Sequence, residues 1–442
     1  MNVKFRLIIM NFLQFAVWGA YLTSMGSYLV GVGQAANIGL FYAIQGIVSM
    51  FMPALIGIIA DRWVPAQKMF SICHLLAGLF MGAAGYYGYA TGSEVQFATL
   101  FTLYTLSVAF YMPTLALSNS VAYSVLDKAK LDTVKHFPPI RIFGTIGFIC
   151  SMLLVDVTGY QHTYSQFLVS GVIGLALAIY AIAMLPNIAI THTKGEKKSL
   201  VESLGLDAFK LFKQKKMAIF FIFSMLLGMS LQVTNGYGNP FITSFKDVSE
   251  FANSFGANHA NALISLSQMS ETLCILLIPF FLKRFGIKNV MLIAMLAWVL
   301  RFGFFATGNP GSGVWMFILS MLVYGVAFDF FNISGSLFVD KETTPAIRSS
   351  AQGLFMLMTN GLGATIGTLS AQFVVDKFVY NPMAQFPALA DGEFYSETAA
   401  NTLMNGWSTA WYIFAAYALV VAIVFAIVFK YKHNPEEINV KH

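Results

Sequence analysis

Apolar residues run along this chain in long unbroken stretches, and polar residues gather in the short intervals between them. Twelve stretches stand out, at 5–30, 37–60, 69–90, 96–124, 140–160, 165–189, 217–245, 258–282, 288–308, 313–338, 346–377 and 409–430. A helix that crosses a bilayer needs about 20 mostly apolar residues, so each stretch predicts one span. None alternates with the period of two that a closed barrel of short strands requires. The expected fold is all-α and integral to a membrane, with twelve transmembrane helices and little chain left for a soluble domain.

Composition agrees with that pattern. Hydrophobic residues make up 57% of the 442 and charged residues 10%, against about 25% charged in an ordinary soluble domain. The first stretch is too long for a signal-peptide core and no small-residue cleavage pattern follows it, so it is expected to remain as a helix. Cys73, Cys150 and Cys274 all fall inside apolar stretches without metal-ligand spacing, and predict neither a disulfide nor a metal site. No cofactor is called for.

Orientation is read from Lys and Arg, which stay on the cytoplasmic side of short loops. With the N-terminus inside, the basic residues from Lys4 to Lys441 fall in inner intervals or at the inner ends of stretches, except Lys246 and Lys377, which fall outside, and Arg141 and Arg301, which are set apart as charges inside the helices. Both termini are then cytoplasmic. This asymmetry accounts for the net charge of +6, and no nucleic-acid motif gives it another meaning.

The longest inner interval, "THTKGEKKSLVESLGLDAFKLFKQKK" at 191–216, divides the chain into six stretches before it and six after. It predicts an N-terminal bundle at 1–190, a cytoplasmic linker at 191–216 and a C-terminal bundle at 217–442. "GIIADRW" (57–63) closes the second stretch and "PFFLKRFG" (279–286) closes the eighth, 222 positions later in a chain whose half-length is 221. Six plus six helices with a basic central loop resemble the major facilitator superfamily, whose substrate site lies near the midplane. Gly57, Asp61, Arg62 and Lys68 resemble its loop signature in abbreviated form. After the last long interval, 380–406 is expected to be a solvated outer loop carrying Asp391, Glu393 and Glu397.

Charge inside the helices is the chemistry that such a chain must explain, since an ionisable group at bilayer depth is costly unless paired or hydrated. Arg301 lies under two turns from an outer helix end and is expected to snorkel. Asp156, near the outer end of the fifth stretch, reads as a water-facing cap. Arg141, Glu271 and Asp329 sit where snorkelling is awkward, and each has company at helical spacing. Arg141, Thr145 and Phe148 stand at i, i+4 and i+7. Gln268 and Glu271 stand at i and i+3, as do Gln232 and Asn235, whose helix two glycines and Pro240 are expected to loosen. Tyr324 and Phe328 are one turn apart with Asp329 on the adjacent flank.

Bland readings stand beside these. The amides could serve as interhelical hydrogen bonds, Phe148 as packing, and Arg141, just after Pro138 and Pro139, as a surface anchor. Taken together, carboxylates and a guanidinium can bond vicinal hydroxyls, amides can pair with the edge of a heterocycle, and rings can stack on its face. A sugar needs the first of these, a nucleobase the other two, and a nucleoside all three.

At this point the chain resembles the nucleoside:proton symporter family of that superfamily, the bacterial nucleoside permeases, along nearly its whole length. The resemblance is carried by "FLQFAVWGAYLTSMGSYL" (12–29), "FPPIRIFGTIGF" (137–148), "LGLDAFKLFKQKKMAIFFIFSMLLG" (204–228), "FGIKNVM" (285–291), "AFDFFNISGS" (327–336) and "AIRSSAQG" (346–353). It implies proton-coupled uptake of purine and pyrimidine nucleosides across the inner, cytoplasmic membrane, by a monomer whose partners are the nucleoside, the proton and the lipid bilayer. It also implies that Arg141, Thr145, Phe148, Gln232, Asn235, Gln268, Glu271, Tyr324 and Phe328 bind substrate, with Asp329 completing the site. As a carboxylate buried among phenylalanines, Asp329 is expected to carry the proton, with Glu271 as the competing candidate.

A transporter of this superfamily for another small polar solute, such as a sugar, is the alternative that the residues leave open. An enzyme is not expected: HExxH, GxSxG, a phosphate loop with lysine and a histidine cluster are all absent from the sequence.

Overall fold

The computed structural model describes residues 2–186, 206–344, 347–390 and 392–431. The chain separates into two compact units, Met1–Leu204 and Gly205–His442. Among the described residues there is helix and no strand, as apolar surroundings require when every backbone polar group must be satisfied within its own segment.

The first unit holds α1 (Val3–Gly19), α2 (Met25–Gly31), α3 (Ile38–Arg62), α4 (Ala66–Thr91), α5 (Phe97–Lys128), α6 (Thr133–Val157) and α7 (Ser165–Met184). The stretch expected as one helix over 5–30 is therefore broken between α1 and α2. The break is stabilised by side chains: Tyr42 donates its hydroxyl to the Leu22 carbonyl, and Ser24 Oγ donates to Gln166 Oε1 at 3.0 Å. No proline marks the break, and the apolar pattern runs straight through it. The side chains of Asp61 and Arg62, in the abbreviated loop signature, lie outside the described residues.

The second unit holds α8 (Lys215–Ser244), α9 (Ala260–Thr307), α10 (Val314–Glu342), α11 (beginning at Arg348–Met356) and α12 (Glu397–Val428). A straight helix of α9's 48 residues would be about 72 Å long, over twice the roughly 30 Å of a hydrocarbon core. Gly286 resolves this, with φ 77° and ψ 168° inside the helix, a backbone conformation that glycine adopts without steric penalty. α9 is thus two spans, 260–285 and 287–307. Among the described residues ten helices are long and apolar enough to cross a membrane. They count α9 once and leave out the broken α1–α2 pair, so each unit supplies six traverses.

Two sequence expectations are corrected here. α8 runs through Gly236, Gly238 and Pro240 without interruption, so that helix is not loosened into a break. The outer loop expected at 380–406 shrinks at both ends, because α11 continues to Asn381–Met383 and α12 begins at Glu397. Ser396 caps α12 by accepting from the Ala399 amide at 3.3 Å, and Glu397 favours the helix N-terminus by its charge. Asp391 lies outside the described residues, and Tyr395 N donates to the Asp247 carbonyl at 2.9 Å. The linker expected at 191–216 is described only from 206, where Leu206–Lys213 forms a 3₁₀ helix before α8. Lys194, Lys197, Lys198, Lys432 and Lys441 lie outside the described residues.

Helix packing in both units is set by glycines at backbone contacts. A Cβ on Gly147 of α6 would lie 2.1 Å from the Phe12 carbonyl oxygen of α1, and one on Gly19 would lie 2.4 Å from the Phe148 carbonyl oxygen. In the second unit the pattern recurs between α8 and α11: a Cβ on Gly228 would lie 2.2 Å from the Thr359 oxygen, and one on Gly367 would lie 2.2 Å from the Met229 oxygen. Around Thr359, α11 widens into a π-type stretch, Leu357–Gly363, of the kind found where a helix departs from regular geometry at functional places.

Gly147→Ala should lower the thermal stability of the detergent-solubilised protein by about 1–3 kcal/mol, the usual cost of overpacking. Gly82→Ala, where the new methyl meets open space, should leave it unchanged or raise it by about 0.5–1 kcal/mol. Thermal unfolding of the two variants side by side checks this, and equal melting of both would mean that the α1–α6 contact yields easily.

Candidate functional site

In the first unit the candidate site residues lie on α6 and pack against α1, which in turn meets α5. Arg141 is half-buried, and its guanidinium carbon lies 3.9 Å from the centre of the Phe15 ring, a cation–π contact between α6 and α1. Gly144, one turn below, admits this contact: a Cβ there would lie 2.6 Å from Phe15 Cδ2 and 2.8 Å from Arg141 Nη1. Phe148 is buried and meets Trp18 edge-on, ring centres 6.3 Å apart at 87°. Thr145 between them is half-buried. Trp18 also packs on Tyr111 at 6.0 Å and donates Nε1 to Gln45 Oε1 at 3.3 Å.

Beneath these lies a polar network that sequence reasoning passed over. Gln14 Nε2 donates to Thr114 Oγ1 at 2.8 Å, Gln14 Oε1 faces His74 Nε2 at 2.6 Å, and Tyr111 donates its hydroxyl to the Gln14 carbonyl at 2.7 Å. All four residues are buried. Their signal was available, because histidine and glutamine inside apolar stretches raise the same question as a buried acid. The network bonds α1, α4 and α5 to one another at the level from which Trp18 and Phe15 reach Phe148 and Arg141.

In the second unit the seven remaining predicted residues lie on α8, α9 and α10. Gln232 is buried and accepts from Asn235 Nδ2 at 2.9 Å, so the pair at i and i+3 is joined as its spacing suggests. Gln268 and Glu271 are half-buried on the first half of α9, where the Gln268 carbonyl accepts from Thr272 at 3.2 Å. On α10, Tyr324 and Phe328 stack with ring centres 5.7 Å apart and planes within 3°. Asp329 is 5% exposed, and its Oδ2 finds no hydrogen-bond partner among the described residues. Glu271 and Asp329 stand within electrostatic reach of each other and of Tyr324. The cost of an ionised carboxylate there falls on two acids that interact.

What brings α9 and α10 so close is Gly325. A Cβ at that position would lie 2.5 Å from the Ser270 carbonyl oxygen and 2.8 Å from Cys274 Sγ, and Ser270 Oγ donates to the Leu322 carbonyl. Beside Phe328 opens a small cleft of about 20 Å³, lined by Leu231, Trp298, Asn332 and Asn360 among others, which is room for about one water molecule. Asn332 and Asn360 were not singled out from sequence. Asn332 is three residues beyond Asp329, and helical spacing alone could have flagged it.

Two intramembrane charges are placed differently from expectation. Arg301 does not snorkel: it is 3% exposed and its Nη1 donates to the Ser320 carbonyl at 2.7 Å and to Ser267 Oγ at 3.3 Å. Asp156 is not a water-facing cap, being 3% exposed. Depth along a helix is legible in sequence, but the rotation that turns a side chain toward neighbouring helices is set by packing, and both residues point inward.

Six traverses in each unit, with amides, acids and cations held inside apolar helices, define a multi-pass secondary transporter of the major facilitator fold. The model of the family described as nucleoside H+ symporter matches residues 1–434. Xanthosine permease of Escherichia coli (strain K12) is 45% identical over 443 residues, spanning 99% of this chain and 99% of that protein. Nucleoside permease NupG of the same organism is 45% identical over 438 residues, spanning 98% and 97%. A crystal structure of the nucleoside transporter NupG matches with a TM-score of 0.85 at 44% identity, covering 98% of this chain and 100% of that one. A bacterial homologue of the human lysosomal transporter Spinster, at 13% identity and a TM-score of 0.69, shares the fold. The chain belongs to the nucleoside H+ symporter family, whose members are transporters rather than enzymes.

Proposed function

We propose that this protein brings nucleosides, purine and pyrimidine, into the cell together with a proton, by alternating access across the cytoplasmic membrane. The chain is a proton-coupled nucleoside transporter by family. Its assignment to the inner membrane with both termini cytoplasmic, its action as a monomer, and its division into bundles at 1–190 and 217–442 joined by the linker 191–216 belong to this proposal. The distribution of Lys and Arg supports the orientation.

Each unit contributes to recognition. In the first, Arg141 offers its planar fork of donors to the ribose hydroxyls or base, with Thr145 adding a hydroxyl and Phe148 a ring. In the second, Gln232, Asn235, Gln268 and Glu271 supply amide and carboxylate partners, and Tyr324 and Phe328 supply flat apolar faces. The observation that carries the reading is the Tyr324–Phe328 stack on the helix that buries Asp329, with Glu271 and Asp329 within electrostatic reach of Tyr324. A ring platform beside two acids suits a ligand that is aromatic at one end and a polyol at the other.

Asp329 or Glu271 carries the proton in this reading. Ionised, a carboxylate among Phe328, Phe330 and Phe331 resists passage through an apolar barrier; protonated, it loses that penalty. Alternating exposure of the pair then ties proton entry to nucleoside entry, and the two acids titrate as a unit.

Three measurements test the proposal. Vesicles containing the protein should accumulate labelled uridine or adenosine under an inward proton gradient, a protonophore should abolish accumulation, and free ribose should compete poorly. Competition by sugars as strong as by nucleosides would move the reading to the sugar-transporter alternative.

Arg141→Ala should remove nucleoside binding while the protein still inserts, and Arg141→Lys should restore little, since an ammonium is a point charge without the fork. Wild-type affinity in a well-folded Arg141→Ala protein would leave Arg141 as a packing partner of Phe15.

Asp329→Asn keeps shape and hydrogen-bonding capacity without the ability to titrate. It should retain nucleoside exchange across the membrane and lose proton-driven accumulation together with its pH dependence, with Glu271→Gln measured beside it. If Asp329→Asn still concentrates nucleoside with an unchanged pH response, the proton travels by another group.

A further inference from the structure

Arg301 is the one intramembrane cation to which the reading above gives no task, and its surroundings are unusually well defined. It belongs to the second half of α9, yet its bonds leave that segment. Nη1 reaches Ser267 Oγ on the first half of α9 at 3.3 Å and the Ser320 carbonyl on α10 at 2.7 Å, while Ser320 Oγ returns a bond to the Arg301 carbonyl at 2.9 Å. Ser267 lies one turn before Glu271, and Ser320 one turn before Tyr324. A single guanidinium therefore ties the segment that carries Gln268 and Glu271 to the helix that carries Tyr324, Phe328 and Asp329.

The same guanidinium covers a ring of the proposed site. Its carbon lies 4.6 Å from the centre of Tyr324 and 5.4 Å from that of Phe305. Trp298 meets Tyr324 edge-on at 6.0 Å, and Phe328 lies parallel on it at 5.7 Å. Tyr324 is thus held between a cation, an indole edge and the phenyl ring that borders the cleft with Asn332. Filling this space with an apolar side chain would avoid the desolvation of a charge. That cost is visible here, because Nε of Arg301 is buried without a hydrogen-bond partner. A residue kept at such cost where leucine or methionine would pack is expected to do something that packing alone does not.

We infer that Arg301 is a positioning residue for nucleoside recognition: through its cation–π contact it fixes the plane of Tyr324, and through Tyr324 the plane of Phe328, so that the pair presents a preformed face to the base. The inference rests on the reading that Tyr324 and Phe328 contact the nucleoside. A preformed platform loses less freedom on binding than a mobile one, so the effect falls on affinity rather than on proton coupling. Arg301→Gln removes the charge and the stacking geometry, whereas Arg301→Lys keeps charge without the flat fork.

The test measures nucleoside affinity, maximal uptake rate and pH profile in reconstituted vesicles for Arg301→Gln, Arg301→Lys, Tyr324→Leu, Phe328→Leu and the double variant of Arg301→Gln with Tyr324→Leu. Arg301→Gln should weaken affinity by about tenfold, the scale of a desolvated cation–π contact, with the pH profile in place. Arg301→Lys should fall between it and the wild type. The double variant should be no weaker than Tyr324→Leu alone, because the arginine acts through that ring. Additive losses in the double variant, or wild-type affinity in Arg301→Gln, would overturn the inference. If Arg301→Gln does not insert, Ser267→Ala, which removes one of the guanidinium's bonds and keeps its charge, carries the test: weaker affinity at an unchanged pH profile supports the inference, and unchanged affinity overturns it. Should Tyr324→Leu and Phe328→Leu themselves bind nucleoside normally, the site reading fails, which is distinguishable from failure of Arg301 alone.

Discussion

Lipid tails are as apolar as leucine, so two helices in a bilayer gain little by hiding leucine from them. Attraction must come from atoms in close contact, and close contact requires that side chains stand aside. In this protein the residues that stand aside include Gly19, Gly144 and Gly147 in the first unit and Gly228, Gly325, Gly363 and Gly367 in the second, where an added methyl would meet backbone or side-chain atoms at 2.1–2.8 Å. The candidate site is a consequence of those contacts. Gly144 lets Arg141 lie on Phe15, and Gly325 draws α10 onto α9 so that Asp329 and Glu271 share one field.

The same medium explains the polar networks. A hydroxyl or amide inside the bundle has no water to fall back on, so it bonds to whatever a neighbouring helix offers. Gln14, His74, Thr114 and Tyr111 solve this by bonding one another across three helices, and Tyr42 solves it for the carbonyl exposed where α1 gives way to α2. Such bonds contribute modestly to stability, about 1 kcal/mol each, but they are directional. They fix the rotation of a helix about its axis, which greasy contacts leave loose, and rotation decides which residues face a substrate.

That division between depth and rotation also describes what could be read from the sequence. Depth was legible: the apolar stretches located the spans, and Arg141, Glu271 and Asp329 lie within those helices as their positions suggest. Pairs on one helix were legible as well, since i, i+3 and i+4 spacing places Gln232 by Asn235 and Tyr324 by Phe328 without knowledge of any other element. Rotation was not legible. Arg301 and Asp156 sit near helix ends, where sequence suggests water, and both are turned inward. The start of α12 was missed for a related reason, because Glu397, Thr398, Asn401, Thr402 and Asn405 make its first turns polar while leaving them helical. The break between α1 and α2 carries no proline and little polarity, and it is held by Tyr42 and Gln166 from elsewhere in the chain.

The second unit shows how rigidity and titration can be kept apart within one cluster. Asp329 and Glu271 interact with each other, and a pair proposed to exchange a proton must be able to change its charge. Arg301 cannot do so, because a guanidinium stays protonated throughout the accessible pH range. Placed among the acids as a close ion-pair partner, it would hold a carboxylate ionised and oppose proton uptake. It is bonded instead to a serine hydroxyl and a backbone carbonyl and stacked on Tyr324, partners whose charge does not change when a proton comes or goes. The permanent charge is spent on geometry, through the ring stack and the α9–α10 tie. The changeable charge stays with the acids, one residue beyond Phe328 and on the neighbouring segment. The arrangement keeps the permanent charge of Arg301 bonded apart from the acids to which the proposed function gives the proton, within the same two helices.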